Sequence, residues 1–193
     1  MAERWLIAGL GNPGSKYDRT RHNAGFWFLD AMAKALPFSL KATKKLFGAV
    51  DKVKSDGQEL IFLRPDTFMN DSGQAIRAVM DFYDIGLDHL LVAYDDLDLP
   101  PGDVRLKFGG GHGGHNGLRS TFSHVGSPNF WRLRIGIGHP GTREQVTPWV
   151  LGRASASDEG AIEDAIRQAL PIVPLWWRGQ AESAVQKLHT KDS

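Results

Sequence analysis

A chain of 193 residues with 41% hydrophobic and 23% charged residues has the make-up of one globular domain, 1–193, with a substantial core. It contains no cysteine, which excludes disulfides, thiolate nucleophiles and cysteine-ligated zinc. The net charge of +1 conceals a segregation: seven aspartates and no Lys or Arg lie between Asp81 and Asp103, then six Arg or Lys and no acid between Val104 and Arg143.

In chain order, WLIAGL (5–10) predicts a buried strand, followed by a loop and a helix over 23–36 with Phe26, Leu29, Ala33 and Leu36 on one stripe. The lysines at 41, 44, 45, 52 and 54 form a basic cluster diluted by Asp51 and Asp56. ELIFLRP (59–65) predicts a second strand, and SGQAIRAVMDFYDI (72–85) a helix with Ser72 near its cap. LLVAYDD (90–96) is a buried strand ending in acids, and VRLKF (104–108) and WRLRIGIG (131–138) alternate as half-exposed strands. Between them 115–125 reads as a helix, and a last helix spans about 157–177 despite Pro171 and Pro174. Strands alternating with helices imply a three-layer α/β/α sandwich around a mixed, mostly parallel twisted sheet. Three polar loops, GNPG, PDTFMN and DDLDLPPG, then follow strand ends, where such sheets carry their sites.

GLGNPG (9–14) fits the glycine spacing of a dinucleotide-binding turn, yet Pro13 disfavours helix at Asn12 and no apolar stripe follows until Phe26. Asp30, the acid nearest the ribose position, falls inside the predicted helix, so a nicotinamide cofactor is not expected. The loop presents side chains instead. His22, just before a helix, is suited to exchange a proton near neutrality and has Asn12 and Asn23 beside it in sequence. The acid-free stretch from 104 to 143 points to a polyanionic partner.

Five segments together, GLGNPGSKYDRTRHNAGF, RPDTFMNDSG, DDLDLPPG, GGGHGGHNGL and FWRLRIGIGHPG, resemble the bacterial-type peptidyl-tRNA hydrolases in order and spacing, over almost the whole chain. The resemblance implies cleavage of the ester between a peptide and the 3′ ribose of tRNA, with tRNA as partner and no cofactor or metal. It implies that His22 is the base that activates water and Asp95 its orienting partner. Asn12, Asn70 and Asn116 would read the substrate through their amides, Asn12 telling a peptide from a free amino group. Tyr17 and Phe68 would line the pocket around the 3′ end. Lys107 and Arg134 would clamp a phosphate of the tRNA end, with Arg143 where the family has a basic residue. Asp96 stands where Glu is common and Trp131 where some members have His, two changes at the rim of the groove.

A helix start lowers a histidine's pKa while a neighbouring carboxylate raises it, and the two are expected to leave His22 near neutrality. HGGH (112–115) offers two histidines that could share a cation, but the six glycines around them favour a mobile gate over a ligand platform. The alternative to an esterase is a non-catalytic tRNA-binding translation factor. No apolar run approaches the roughly 18 residues of a membrane span, and no signal-peptide layout opens the chain, so a cytoplasmic protein is expected, and a monomer because no patch clearly demands a dimer.

Overall fold

The computed structural model describes residues 2–190. Seven strands form one sheet: β1 (Arg4–Gly9), β2 (Lys41–Thr43), β3 (Gly48–Ser55), β4 (Gln58–Pro65), β5 (Leu90–Asp96), β6 (Val104–Phe108) and β7 (Trp131–Gly136). Their order is β2-β3-β4-β1-β5-β7-β6. The inner strands β4, β1, β5 and β7 are parallel neighbours, while β3 and β6 run against β4 and β7 and β2 runs against β3.

Seven helices cover the sheet: α1 (Ala24–Ala35), α2 (Ser72–Tyr83), α3 (Asn116–Val125), α4 (Val146–Val150), α5 (Ala156–Ala169), α6 (Val173–Trp177) and α7 (Ala181–His189). Alternate residues of β1 feed two cores. Trp5 and Ile7 pack with α1, α5 and α6 on one face, and Leu6 and Ala8 pack with α2 and α3 on the other. Burial on both faces is why the inner strands read as unbroken apolar runs. No helix among the described residues is long and apolar enough to cross a membrane.

The strands and helices expected from the sequence form within two residues of their predicted ends, except at the C-terminus. The single helix foreseen over 157–177 is two. α5 stops at Ala169, before Pro171, and α6 restarts with Pro174 in its first turn, where a missing N–H costs nothing. α4, α7, β2 and β3 were not foreseen. The lysine cluster lies largely on β2 and β3, whose hairpin with β4 turns at Asp56 and Gly57. Both have positive φ, 54° and 75°, the conformation of a tight two-residue hairpin turn. Asp56 accepts a hydrogen bond from Trp177 Nε1 at 2.9 Å and pairs with Arg178 at 3.0 Å. At the opposite edge, the Leu106 N–H of β6 donates to His189 Nε2 of α7 at 3.1 Å.

The chain builds β2 to β4 on one side of β1 and then β5 to β7 on the other. The carboxyl ends of β1 and β5 therefore flank the point where the winding reverses, and that crevice holds the site.

Candidate active site

The loop after β1 is fixed by contact rather than by a phosphate. A Cβ on Gly9 would lie 2.3 Å from the Gly25 carbonyl oxygen, so glycine there lets α1 lie directly against β1. α1 begins only at Ala24, well past GLGNPG, as the absence of an apolar stripe implied. Asn23 closes the loop on itself: its Oδ1 accepts from Asn12 N at 2.8 Å and its Nδ2 donates to Asn12 O at 3.0 Å. His22 sits in the short 3₁₀ turn Arg21–Asn23 that this pair braces.

Asp95, the penultimate residue of β5, is 2% exposed and holds two histidines at once. Its Oδ2 lies 2.8 Å from His22 Nδ1 and its Oδ1 lies 2.8 Å from His115 Nε2. A carboxylate accepts only, so Nδ1 of His22 carries the proton and the lone pair is left on Nε2. His115 has the opposite tautomer, because its Nδ1 accepts from Leu118 N at 3.2 Å and caps α3. Burial disfavours a charged His22 ring, but the charge and hydrogen bond of Asp95 outweigh it and raise the His22 pKa above its ordinary 6.5. Burial likewise opposes ionisation of Asp95, and the two histidines overcome it, holding the carboxyl below its usual range.

Asn12 is buried, and its Oδ1 accepts from Met69 N at 2.7 Å. Its amide nitrogen is thereby the group left to offer two donors. Asn70 is exposed in the 3₁₀ turn Met69–Asp71, and Asn116 is exposed at the first position of α3. Phe68 is 61% exposed just before Met69, and Tyr17 lies half-buried with Lys16 Nζ 4.9 Å from its ring centre.

A cavity of about 360 Å³ opens beside the trio. Its wall is formed by His22, Asp95, His115 and Asn116, by Lys107, Arg132 and Arg134 with Asp96 and Asp98 among them, and by Val146 and Val150 of α4. Of the residues singled out in the sequence, Asn12, Tyr17, Phe68, Asn70 and Arg143 stand outside this wall. Arg143 is exposed in the 3₁₀ turn before α4.

The β6–β7 register sets Arg105 opposite Arg134 and Lys107 opposite Arg132. Arg134 Nε donates to Asp96 Oδ2 at 2.7 Å. Arg132 is 2% exposed and donates to the carbonyls of Gly111, Gly110 and Pro128 at 2.6, 2.8 and 2.7 Å, packed against the rings of Phe122 and Phe130. The glycine-rich segment expected as a gate is thus tied at one end by Arg132 and at the other by His115 on Asp95.

Sequence reasoning missed His115, Arg132 and Tyr94. HGGH did single out His115, but weighed its loop instead of its place at the start of the helix 115–125. His22, Asp95 and His115 offer ligand atoms within 4.8 Å of one another, enough to raise a metal site. The donor set does not fit one. A metal on His115 Nε2 would move the ring proton to Nδ1, against the Leu118 N–H that Nδ1 accepts.

A family model described as peptidyl-tRNA hydrolase matches residues 6–193. The chain is 50% identical over 191 residues to the peptidyl-tRNA hydrolase of Xanthomonas euvesicatoria pv. vesicatoria (strain 85-10), covering 99% of each. It is 49% identical over 185 residues to that of Coxiella burnetii (strain RSA 493 / Nine Mile phase I), covering 96% of this chain and 97% of the other. The crystal structure of peptidyl-tRNA hydrolase from Acinetobacter baumannii superposes with a TM-score of 0.94 at 46% identity, covering 97% of this chain and 95% of that one. With the fold, the five motifs and these relatives in agreement, the chain belongs to the peptidyl-tRNA hydrolase family.

Proposed function

We propose that this chain hydrolyses the ester linking a peptide to the 3′ ribose of tRNA, with His22 as general base and Asp95 as its orienting partner. The observation that carries this reading is the 2.8 Å contact of Asp95 with His22 Nδ1 in a cavity that Lys107, Arg132 and Arg134 also line. His22 Nε2 takes a proton from water as the water oxygen adds to the ester carbonyl. The tetrahedral oxyanion then collapses, the carbon–oxygen bond to the ribose breaks, and the imidazolium returns its proton to the departing 3′ oxygen. The products are a peptide acid and tRNA, with no covalent intermediate and no cofactor.

General base catalysis supplies roughly 10²–10⁴-fold, so oriented donors must supply much of the remainder. The Asn12 amide nitrogen, with its oxygen occupied by Met69, suits a peptide carbonyl, and the exposed amides of Asn116, on the cavity wall, and Asn70, next to Met69, suit further substrate contacts. Lys107 and Arg134 suit the phosphates of the tRNA end.

The test is release of N-acetylated amino acid from charged tRNA, with unblocked aminoacyl-tRNA as the control. Wild-type protein is expected to cleave the blocked ester in preference, and His22→Ala to lose turnover while still binding tRNA. Full turnover by His22→Ala refutes the base assignment. Tight binding of tRNA without turnover by the wild type supports the non-catalytic alternative.

A further inference from the structure

The four cations on β6 and β7 face one another as like-charge pairs, an arrangement that weakens a sheet unless something else uses the charge. Asp96 enters this array from the end of β5. It is 8% exposed, its Oδ1 accepts from Asp98 N at 2.8 Å, and its Oδ2 accepts from Tyr94 Oη at 3.2 Å and from Arg134 Nε at 2.7 Å. We propose that Asp96 is a positioning residue for the substrate: it aims Arg134 at the phosphates of the RNA. The inference rests on the tRNA-ester reading above.

A guanidinium bound through Nε has its plane fixed and presents its two terminal nitrogens as a fork for phosphate oxygens. Without that hold, Arg134 would be pushed away by Arg105 and Arg132 on either side of it. Tyr94 stiffens the hold, and its ring meets the edge of the His115 ring at 5.1 Å. The RNA-binding wall and the catalytic trio therefore share one side chain.

Charge and position predict opposite outcomes at residue 96. Removing a negative charge from a phosphate site strengthens RNA binding if only the charge counts, and weakens it if Asp96 aims Arg134. For Asp96→Asn, KM for N-acetyl-aminoacyl-tRNA is expected to rise about 10-fold with kcat changed by less than about 2-fold. The slope of log KM against log salt should flatten by roughly one phosphate contact. Asp96→Glu, which keeps the charge and the acceptor, is expected to recover most of the affinity. Combined with Arg134→Ala, Asp96→Asn should add almost nothing, since both act through one contact.

Tyr94→Phe loosens the hold without changing charge and should give a smaller rise in KM. It also carries the test if Asp96→Asn fails to fold, as judged by its melting curve. Deacylated tRNA binding, measured in parallel, reads the positioning effect even if the wild type hydrolyses nothing, which would defeat the functional reading alone. An unchanged or lowered KM and Kd in Asp96→Asn and Tyr94→Phe overturns the proposal, as do losses that add independently to Arg134→Ala.

Discussion

His115 reaches Asp95 with one ring nitrogen and caps α3 with the other, so one side chain serves both the trio and a helix. These two duties can be separated. His115→Ala should lower kcat by roughly 10²-fold through a misplaced Asp95 and cost about 0.5–2 kcal/mol through the lost cap. His115→Asn restores a capping oxygen but not the reach to Asp95, so its melting temperature should recover while its kcat does not. Equal recovery of both would show that His115 acts on catalysis only through the helix.

The raised pKa of His22 sets the pH dependence. If His22 is the base, as proposed, it works unprotonated, so kcat/KM should climb with pH through an apparent pKa above 6.5. Asp95→Asn removes what raises that pKa and leaves the burial that lowers it. Its acid limb should therefore move to lower pH, with kcat reduced about 10²–10⁴-fold by a ring free to adopt the wrong tautomer. For stability the signs are opposite for the two partners. The raised His22 pKa stabilises the fold below 6.5 and is lost as pH rises through the folded value; the lowered Asp95 pKa stabilises above 3.8 and is lost as pH falls through its folded value. The pair's contribution is greatest between those two ordinary values, which pH-dependent denaturant melts of wild type and Asp95→Asn would register.

Lys107 lines the cavity, where Asp96 is already paired with Arg134. Lys107→Ala should weaken tRNA binding across sequences and reduce the slope of log affinity against log salt by about one. A slope equal to that of the wild type removes Lys107 from the phosphate contacts.

Arg132 holds three backbone carbonyls at 2.6–2.8 Å. Hydrogen bonds to a charged group contribute about 1.5–3 kcal/mol each, and losses at neighbouring bonds do not add, so Arg132→Met should cost roughly 2–4 kcal/mol. Amide exchange should quicken around Gly109 to His112 before it does in the strands. Uniform quickening across the sheet would mean that Arg132 supports the core and not the loop.

Much of this arrangement was legible in the sequence because the central strands are buried on both faces and carry their polar residues at their ends. LLVAYDD is the clearest case: five apolar or aromatic residues fill both cores, and the two acids fall where the crevice opens. The resemblance named His22 and Asp95, and the coordinates bring them together at 2.8 Å. Strands β2 and β3 escaped because their lysines alternate on a half-exposed surface and read as charge, not as strand. Asp56-Gly57 was the overlooked signal, since that pair is a strong mark of a tight hairpin. Arg132 could not be told from Arg134 by sequence. The two stand two residues apart on one strand face, and it is the tertiary packing of Phe122, Phe130 and the loop carbonyls that buries one of them.

The bond from Leu106 to His189 has a bearing on the exposed edge of the sheet. β6 is an outermost strand, and outward-facing amides on such a strand invite the backbone of another molecule. Burial, and then the charges of Arg105 and Arg134, depress the His189 pKa and keep its ring a neutral acceptor for that amide. α7 thus occupies a backbone amide of this outer strand, and a chain cut short before α7 is expected to present that margin bare and to aggregate more readily, which light scattering of the truncated protein would show.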